Sequence, residues 1–141
     1  MPVVVSTTVL VLAESFDNGP DAHAAAGAIA RGLSAGGRLQ CDLFPIDTDI
    51  GTLDAQDFDR RMRAARALVI ACSRLEDTTL AGSVMFEAAT RARQAGVPAY
   101  AVAGENALDP FEARIVDLQV IMEAKTPRAL TAAGRKLATL V

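Results

Sequence analysis

Aromatic side chains are scarce: they make up 4% of the 141 residues, with one Tyr, five Phe and no Trp. The core must therefore be aliphatic, and Ala, Val, Leu and Ile supply it in a chain that is 51% hydrophobic. No apolar run approaches the roughly 20 residues that a membrane-spanning helix needs, which excludes such a span. The opening residues, Met1 to Thr8, lack the basic stretch of a signal peptide, so a cytoplasmic location is expected. Cys41 and Cys72 are the two cysteines, and they offer neither a disulfide framework nor a metal-ligand spacing. The one histidine, His23, falls in an Ala-rich helical stretch, where a solvated or packed imidazole is expected rather than a catalytic one. Cations are also few: 14 against 17 acidic residues, for a net charge of −3. Arg60, Arg61, Arg63 and Arg66 cluster, but on a helix shared with Asp57 and Asp59, so no surface suited to nucleic acid is expected. Neither a G-x-G-x-x-G fingerprint after the first strand nor a phosphate loop ending in Gly-Lys-Ser or Gly-Lys-Thr occurs.

What is present is a regular alternation. Thr8 to Ala13 reads as a first strand, and Glu14 to Pro20 as a loop dense in turn formers. Asp21 to Ala35 reads as a helix, with Ala22, Ala25, Ala26, Ile29 and Leu33 on one face and Gly36-Gly37 at its end. Arg38 to Phe44 alternates apolar and polar residues, as an edge strand does. A loop, Pro45 to Leu53, leads to a helix over Asp54 to Arg66, with Phe58, Met62 and Ala65 inward. The centre of the chain is L-V-I-A-C-S-R-L-E-D-T-T-L, Leu68 to Leu80. It reads as a buried strand over Leu68 to Cys72 and a polar loop over Ser73 to Thr79. A helix over Leu80 to Ala95 follows, capped by Thr78 or Thr79. Pro98 to Ala103 is a fourth strand, followed by the Gly104–Ala107 loop. A short helix spans Leu108 to Arg114, and Val116 to Met122 is a fifth strand. A last helix starts at Thr126-Pro127. Five strand–helix alternations call for an α/β fold in three layers: an open parallel sheet, Rossmann-like or flavodoxin-like, in the order 2-1-3-4-5, forming one domain. Ligands of such sheets lie at the carboxyl ends of the strands, near the switch point between the first and third.

That rim is expected to carry carboxylates, Glu14, Asp17, Asp47, Asp49, Glu76, Asp77 and Glu105, and a single cation, Arg74. The two lysines, Lys125 and Lys136, are expected off the rim because they come late in the chain. The carboxylates could hold Mg²⁺ through oxygen, although solvated turn residues of this type are common. Cys72 has no evident base to activate it and is expected to act as a small hydrophobe.

The residues from Leu68 to Ser83 resemble the C-terminal signature of the bacterial glycerate kinase family. There a strand leads through Gly-Glu-Gly into Arg-Leu-Asp and then Thr-Leu-x-Gly-Lys. The stretch Ala95 to Gly104 is similar to the family's next strand. Val9 to Ala22 resembles its opening strand and Ala-Pro-Asp-Ser-Phe-Lys-Gly-Ser loop, and Pro45 to Leu53 resembles its Ala-Asp-Gly-Gly-Glu-Gly-Thr loop. The resemblance implies a Rossmann-like domain. It also implies a second domain inserted between the Gly-Thr loop and the Leu68 strand, and only about fifteen residues, Leu53 to Ala67, bridge that gap here. Three charged signature positions differ. Asp17 stands where the opening-loop lysine would be, Ala71-Cys72-Ser73 replaces Gly-Glu-Gly, and Ser83 replaces the last lysine.

On this resemblance Asp47 and Arg74 are the expected catalytic positions. Glu14, Ser15, Phe16, Gly51, Thr52, Ser73, Glu76, Thr79, Gly82 and Gly104 are the expected ligand-binding ones. Three functions follow as expectations. The first is a glycerate kinase-like module, without kinase activity, that binds an anionic small molecule through Arg74 and helix-start N–H groups near Ser15–Asp21 and Thr78–Leu80. The second is an ATP- and Mg²⁺-dependent phosphotransferase acting on glycerate or a related hydroxy acid, completed by a second subunit. The third is an interaction protein, a homo-oligomer built on Val3 to Val5. No nucleic-acid or membrane partner is expected.

Overall fold

A computed structural model describes residues 6–46, 51–76 and 83–141. Among these, five strands form one parallel sheet in the order β2-β1-β3-β4-β5. The strands are β1 (Thr8–Ala13), β2 (Gln40–Pro45), β3 (Ala67–Leu75), β4 (Ala99–Asn106) and β5 (Leu118–Glu123). The α/β architecture and strand order are those expected from the alternation. β1, β3 and β4 lie inside the sheet and are buried over most of their length, whereas the edge strand β2 is half-exposed.

Successive side chains of a strand point to opposite faces, so the sheet has two cores. Val9, Val11, Val69, Ala71 and Val102 pack against α1 (Ala22–Leu33) and the last helix, α6 (Pro127–Leu137), through Ala25, Ile29, Leu33, Leu130 and Leu137. Leu10, Leu12, Leu68, Ile70 and Ala101 pack on the other face. They meet Leu53 of α2 (Gly51–Ala55), Phe58 and Met62 of α3 (Phe58–Arg63), Val84 and Ala88 of α4 (Val84–Gln94), and Val116 of α5 (Pro110–Val116). The scarcity of aromatics shows here. Phe16, Phe44, Phe58 and Tyr100 are the buried aromatics among the described residues; Phe44 and Phe58 form an edge-to-face pair with centroids 5.8 Å apart, and the Arg61 guanidinium lies 4.3 Å from the Phe44 ring centre.

Helices α1 and α6 touch backbone to backbone. A methyl group added at Gly134 would lie 2.2 Å from the Ile29 carbonyl oxygen, and one at Gly32 would lie 2.0 Å from the Thr131 carbonyl oxygen. The Thr131 hydroxyl donates to the Ala28 carbonyl at 2.9 Å, which fixes the register of the pair.

Several boundaries differ from the sequence reading. β3 runs on to Leu75 and β4 to Asn106, so Ser73, Arg74, Gly104 and Glu105 are strand residues rather than loop residues. Pairing of Arg74 with Glu105 and of Leu75 with Asn106 extends the ladder, and burial of Leu75 anchors it. The helix expected over Asp54 to Arg66 is two helices, broken at Asp57, whose φ of 57° is left-handed. Helix α4 is capped by Ser83, whose hydroxyl accepts from the Phe86 N–H at 3.1 Å. The expected caps Thr78 and Thr79 lie outside the described residues, as do Val3 to Val5.

Candidate functional site at the carboxyl rim

The carboxyl ends of the strands bring the expected positions to one edge of the sheet, but on opposite faces. Glu14 follows β1 and its N–H donates to Ala71 O at 2.9 Å, which places it beside Cys72. By strand alternation, Glu14, Cys72, Arg74 and Glu105 belong to the α4 side, and Ser73 and Gly104 to the α1/α6 side. Asp47, Thr79 and Gly82 lie outside the described residues.

Arg74 is not available as a lone cation. Its Nε donates to Glu76 Oε2 at 2.8 Å and its Nη1 to Glu105 Oε2 at 2.5 Å. The hydrogen bond that Arg74 donates to Glu76, then the field of Glu105, push the guanidinium pKa further up. Two carboxylates on one guanidinium leave a net negative group where a positive one was expected.

The start of α1 is also occupied. The Ser15 hydroxyl accepts from the Ala22 N–H at 3.0 Å, and the Asp21 carboxylate accepts from the Ala24 N–H at 2.8 Å. Ser15 and Asp21 therefore cap this helix, a role that explains their residue types without a ligand. Buried Phe16 folds the loop beneath them, with its N–H bonded to Pro20 O at 2.8 Å. Ser73 Oγ accepts from the Asp17 N–H at 2.7 Å and so ties the β1–α1 loop to the end of β3. Gly51 and Thr52 open α2, beyond the carboxyl end of β2.

Glu14 is tuned by burial rather than by a charged partner. Half-burial raises its carboxyl pKa above the ordinary 4.5, the charged form being the poorly solvated one. The folded value exceeds the unfolded value, so stability is lost as pH rises through the folded pKa. Glu14→Gln is therefore expected to raise the unfolding temperature at pH 7, with an advantage that vanishes below the ordinary carboxyl pKa of 4.5. Melting curves of both proteins across that range check it. Cys72 is inert: burial, then the nearby Glu14 charge, push its thiol up to about 12.

The expectation that both lysines lie off the rim is corrected. Lys125 comes two residues after β5 ends and is exposed. Its carbonyl oxygen is 3.2 Å from where a side chain on Gly19 would begin, and its Cβ is 3.5 Å from the same point on Gly104. In a parallel sheet every strand ends on the same rim, so a residue late in the chain returns to it.

Among the described residues no three His, Cys, Asp or Glu side chains converge on one point, and Asp47, Asp49 and Asp77, expected at the rim, lie outside the described residues.

The fold is an open, doubly wound α/β sheet in the order 2-1-3-4-5 with helices on both faces. Residues 12–140 match the glycerate kinase family, and the chain belongs to it. No curated protein matches the chain. Among solved structures, a protein from Burkholderia pseudomallei described as pilus assembly-related is 15% identical. That comparison covers 99% of this chain and 95% of the other at a TM-score of 0.56, a likeness of fold. The glutaminase domain of CTPS from Trypanosoma brucei, with bound acivicin, is 14% identical, with 68% of this chain and 36% of that one covered at a TM-score of 0.43. No helix among the described residues is long and apolar enough to cross a membrane.

Proposed function

We propose that this glycerate kinase-family domain binds a small anionic molecule at the carboxyl rim of its sheet and does not transfer phosphate. The observation that carries the second half of this reading, the absence of phosphate transfer, is the pairing of Arg74 with both Glu76 and Glu105; the first half rests on the family and on the usual place of ligands in such sheets. A phosphoryl group in flight needs positive charge fixed around it. Asp17 and Ser83 stand at the two lysine positions of the family signature, and the retained arginine is already neutralised.

A second reading, ATP-dependent phosphotransfer to glycerate or a related hydroxy acid, draws support from Glu14. It occupies an aspartate position of the signature, and its carboxyl pKa is raised, as suits a group that accepts a proton from a hydroxyl. The pairing of Arg74 with Glu76 and Glu105 weighs against this reading.

Thermal unfolding in glycerate, inorganic phosphate and ATP with Mg²⁺ tests the binding claim. A ligand of the folded state at ~100 times its Kd adds ~2.7 kcal/mol. A rise with glycerate or phosphate is expected, and unchanged melting in all three would overturn the proposal.

A further inference from the structure

The sheet has two open edges, and they are finished differently. On β2 the even-numbered residues turn to β1: Gln40 N–H donates to Thr7 O, and Ile46 N–H to Ala13 O, both at 2.9 Å. Cys41, Leu43 and Pro45 therefore face outward. Arg61 covers that side. Its Nη2 donates to the Leu43 carbonyl at 2.9 Å, and its Nε and Nη2 hold the Asp42 carboxylate. Pro45 has no N–H to offer. A charge, a proline and a covering side chain are the means by which proteins close an edge to further strands.

The second half of β5 has no such protection. The Ala124 N–H donates to Ala103 O at 2.8 Å, so Ala124 and Met122 turn to β4, and Ile121 and Glu123 turn their N–H and C=O groups outward. The register shift in this pairing lies upstream, between Leu118 and Ile121, and leaves these residues regular. Among the described residues no hydrogen bond reaches the backbone N–H or C=O of Ile121 or Glu123 from outside the sheet. The Glu123 carboxylate is turned back to the Asn106 N–H, at 3.0 Å, and does not guard the edge. Leu118, Val120, Ile121 and Met122 are all half-exposed. Phe111, 70% exposed, belongs to α5, whose Val116 shares a core with Leu118 and Ile121.

A bare apolar edge is a template for another strand. The β2 edge of a second copy would have to displace Arg61, which argues against head-to-tail chaining. The β5 edge of a second copy needs no rearrangement. Set antiparallel about a two-fold axis near Met122, Ile121 of each copy exchanges backbone hydrogen bonds with Glu123 of the other. The antiparallel sense also matches charge. Asp117 before the strand and Lys125 beyond it are exposed and in no ion pair among the described residues. Antiparallel alignment brings the acidic start of each strand towards the basic end of the other, whereas parallel alignment sets like against like.

We infer that β5 is a dimerisation edge: two copies of this chain join antiparallel through Ile121–Glu123, and one continuous sheet runs through both.

Sedimentation velocity of the full chain from about 1 μM to about 1 mM, with amide hydrogen exchange at both ends of that range, tests it. A monomer–dimer equilibrium is expected, with the Ile121 and Glu123 amides exchanging ~10-fold more slowly or better at high concentration. Glu123→Pro deletes an outward N–H at an edge position that proline tolerates. It should weaken dimerisation ~10-fold or more, since the two-fold axis doubles the loss. Lys125→Glu should weaken it roughly 2- to 10-fold, and deletion of Met1 to Val5 should leave it unchanged. The exchange measurement on wild type needs no variant, so it decides the matter even where Glu123→Pro fails to fold. A chain monomeric throughout would overturn the inference. So would a dimer whose Ile121 and Glu123 amides gain no protection, one that folded Glu123→Pro leaves intact, or one lost with Met1 to Val5.

Discussion

Gly134→Ala is expected to destabilise the protein by ~3 kcal/mol, a cost typical of forcing an extra methyl into a packed interface. The new carbon would sit 2.2 Å from the Ile29 carbonyl oxygen, and backbone cannot swing aside as a side chain can. Helices α1 and α6 would have to separate, loosening Ile29, Leu33, Leu130 and Leu137, all at 1% exposure or less. In a chain of this size the unfolding temperature should fall by roughly 10 °C. Gly32→Ala should act similarly, and the double variant should cost less than the sum, because helices already separated have less left to lose. Gly27 supplies the control. It lies in the same helix with nothing within 4 Å of an added methyl, so Gly27→Ala should stabilise by ~0.5–1 kcal/mol. Denaturant unfolding of the four variants checks the series. Equal behaviour of Gly27→Ala and Gly134→Ala would show that the α1–α6 contact is not as described.

The contrast marks what the sequence could and could not tell. Strand order was legible because β1 and β3 are unbroken apolar runs while β2 alternates, a difference that burial on one or both faces imposes. The α1–α6 contact was not legible, because Gly32 and Gly134 meet only once the sheet has brought two distant helices together. The ends of β3 and β4 were misread for a related reason. Ser73-Arg74 and Gly104-Glu105 look like loop, yet Arg74 finds Glu105 directly across the ladder. The break at Asp57 had no glycine or proline to announce it. For the site, the acidic character of the rim and the place of Glu14 were readable. The neutralisation of Arg74 was not, since Glu105 lies 31 positions along the chain. Lys125 reads as remote because it comes late in the chain, yet β5 ends on the shared rim two residues before it.

The second large effect concerns turnover. Kinases typically run at ~1–100 s⁻¹, and an arginine finger contributes ~10³–10⁵ to such chemistry. By the resemblance, Asp17 and Ser83 stand where the family signature would have its two lysines, and Ser83 caps α4. Arg74 is held by Glu76 and Glu105. Loss of even one placed cation should bring the rate below roughly 10⁻¹ s⁻¹, and loss of several should bring it to background.

The most direct measurement is phosphorus NMR of the protein with ATP, Mg²⁺ and glycerate, followed for hours. The account predicts that the ATP signals persist, with no phosphoglycerate formed above a protein-free control. A phosphoglycerate signal that grows in proportion to protein concentration and disappears in Arg74→Ala would contradict it.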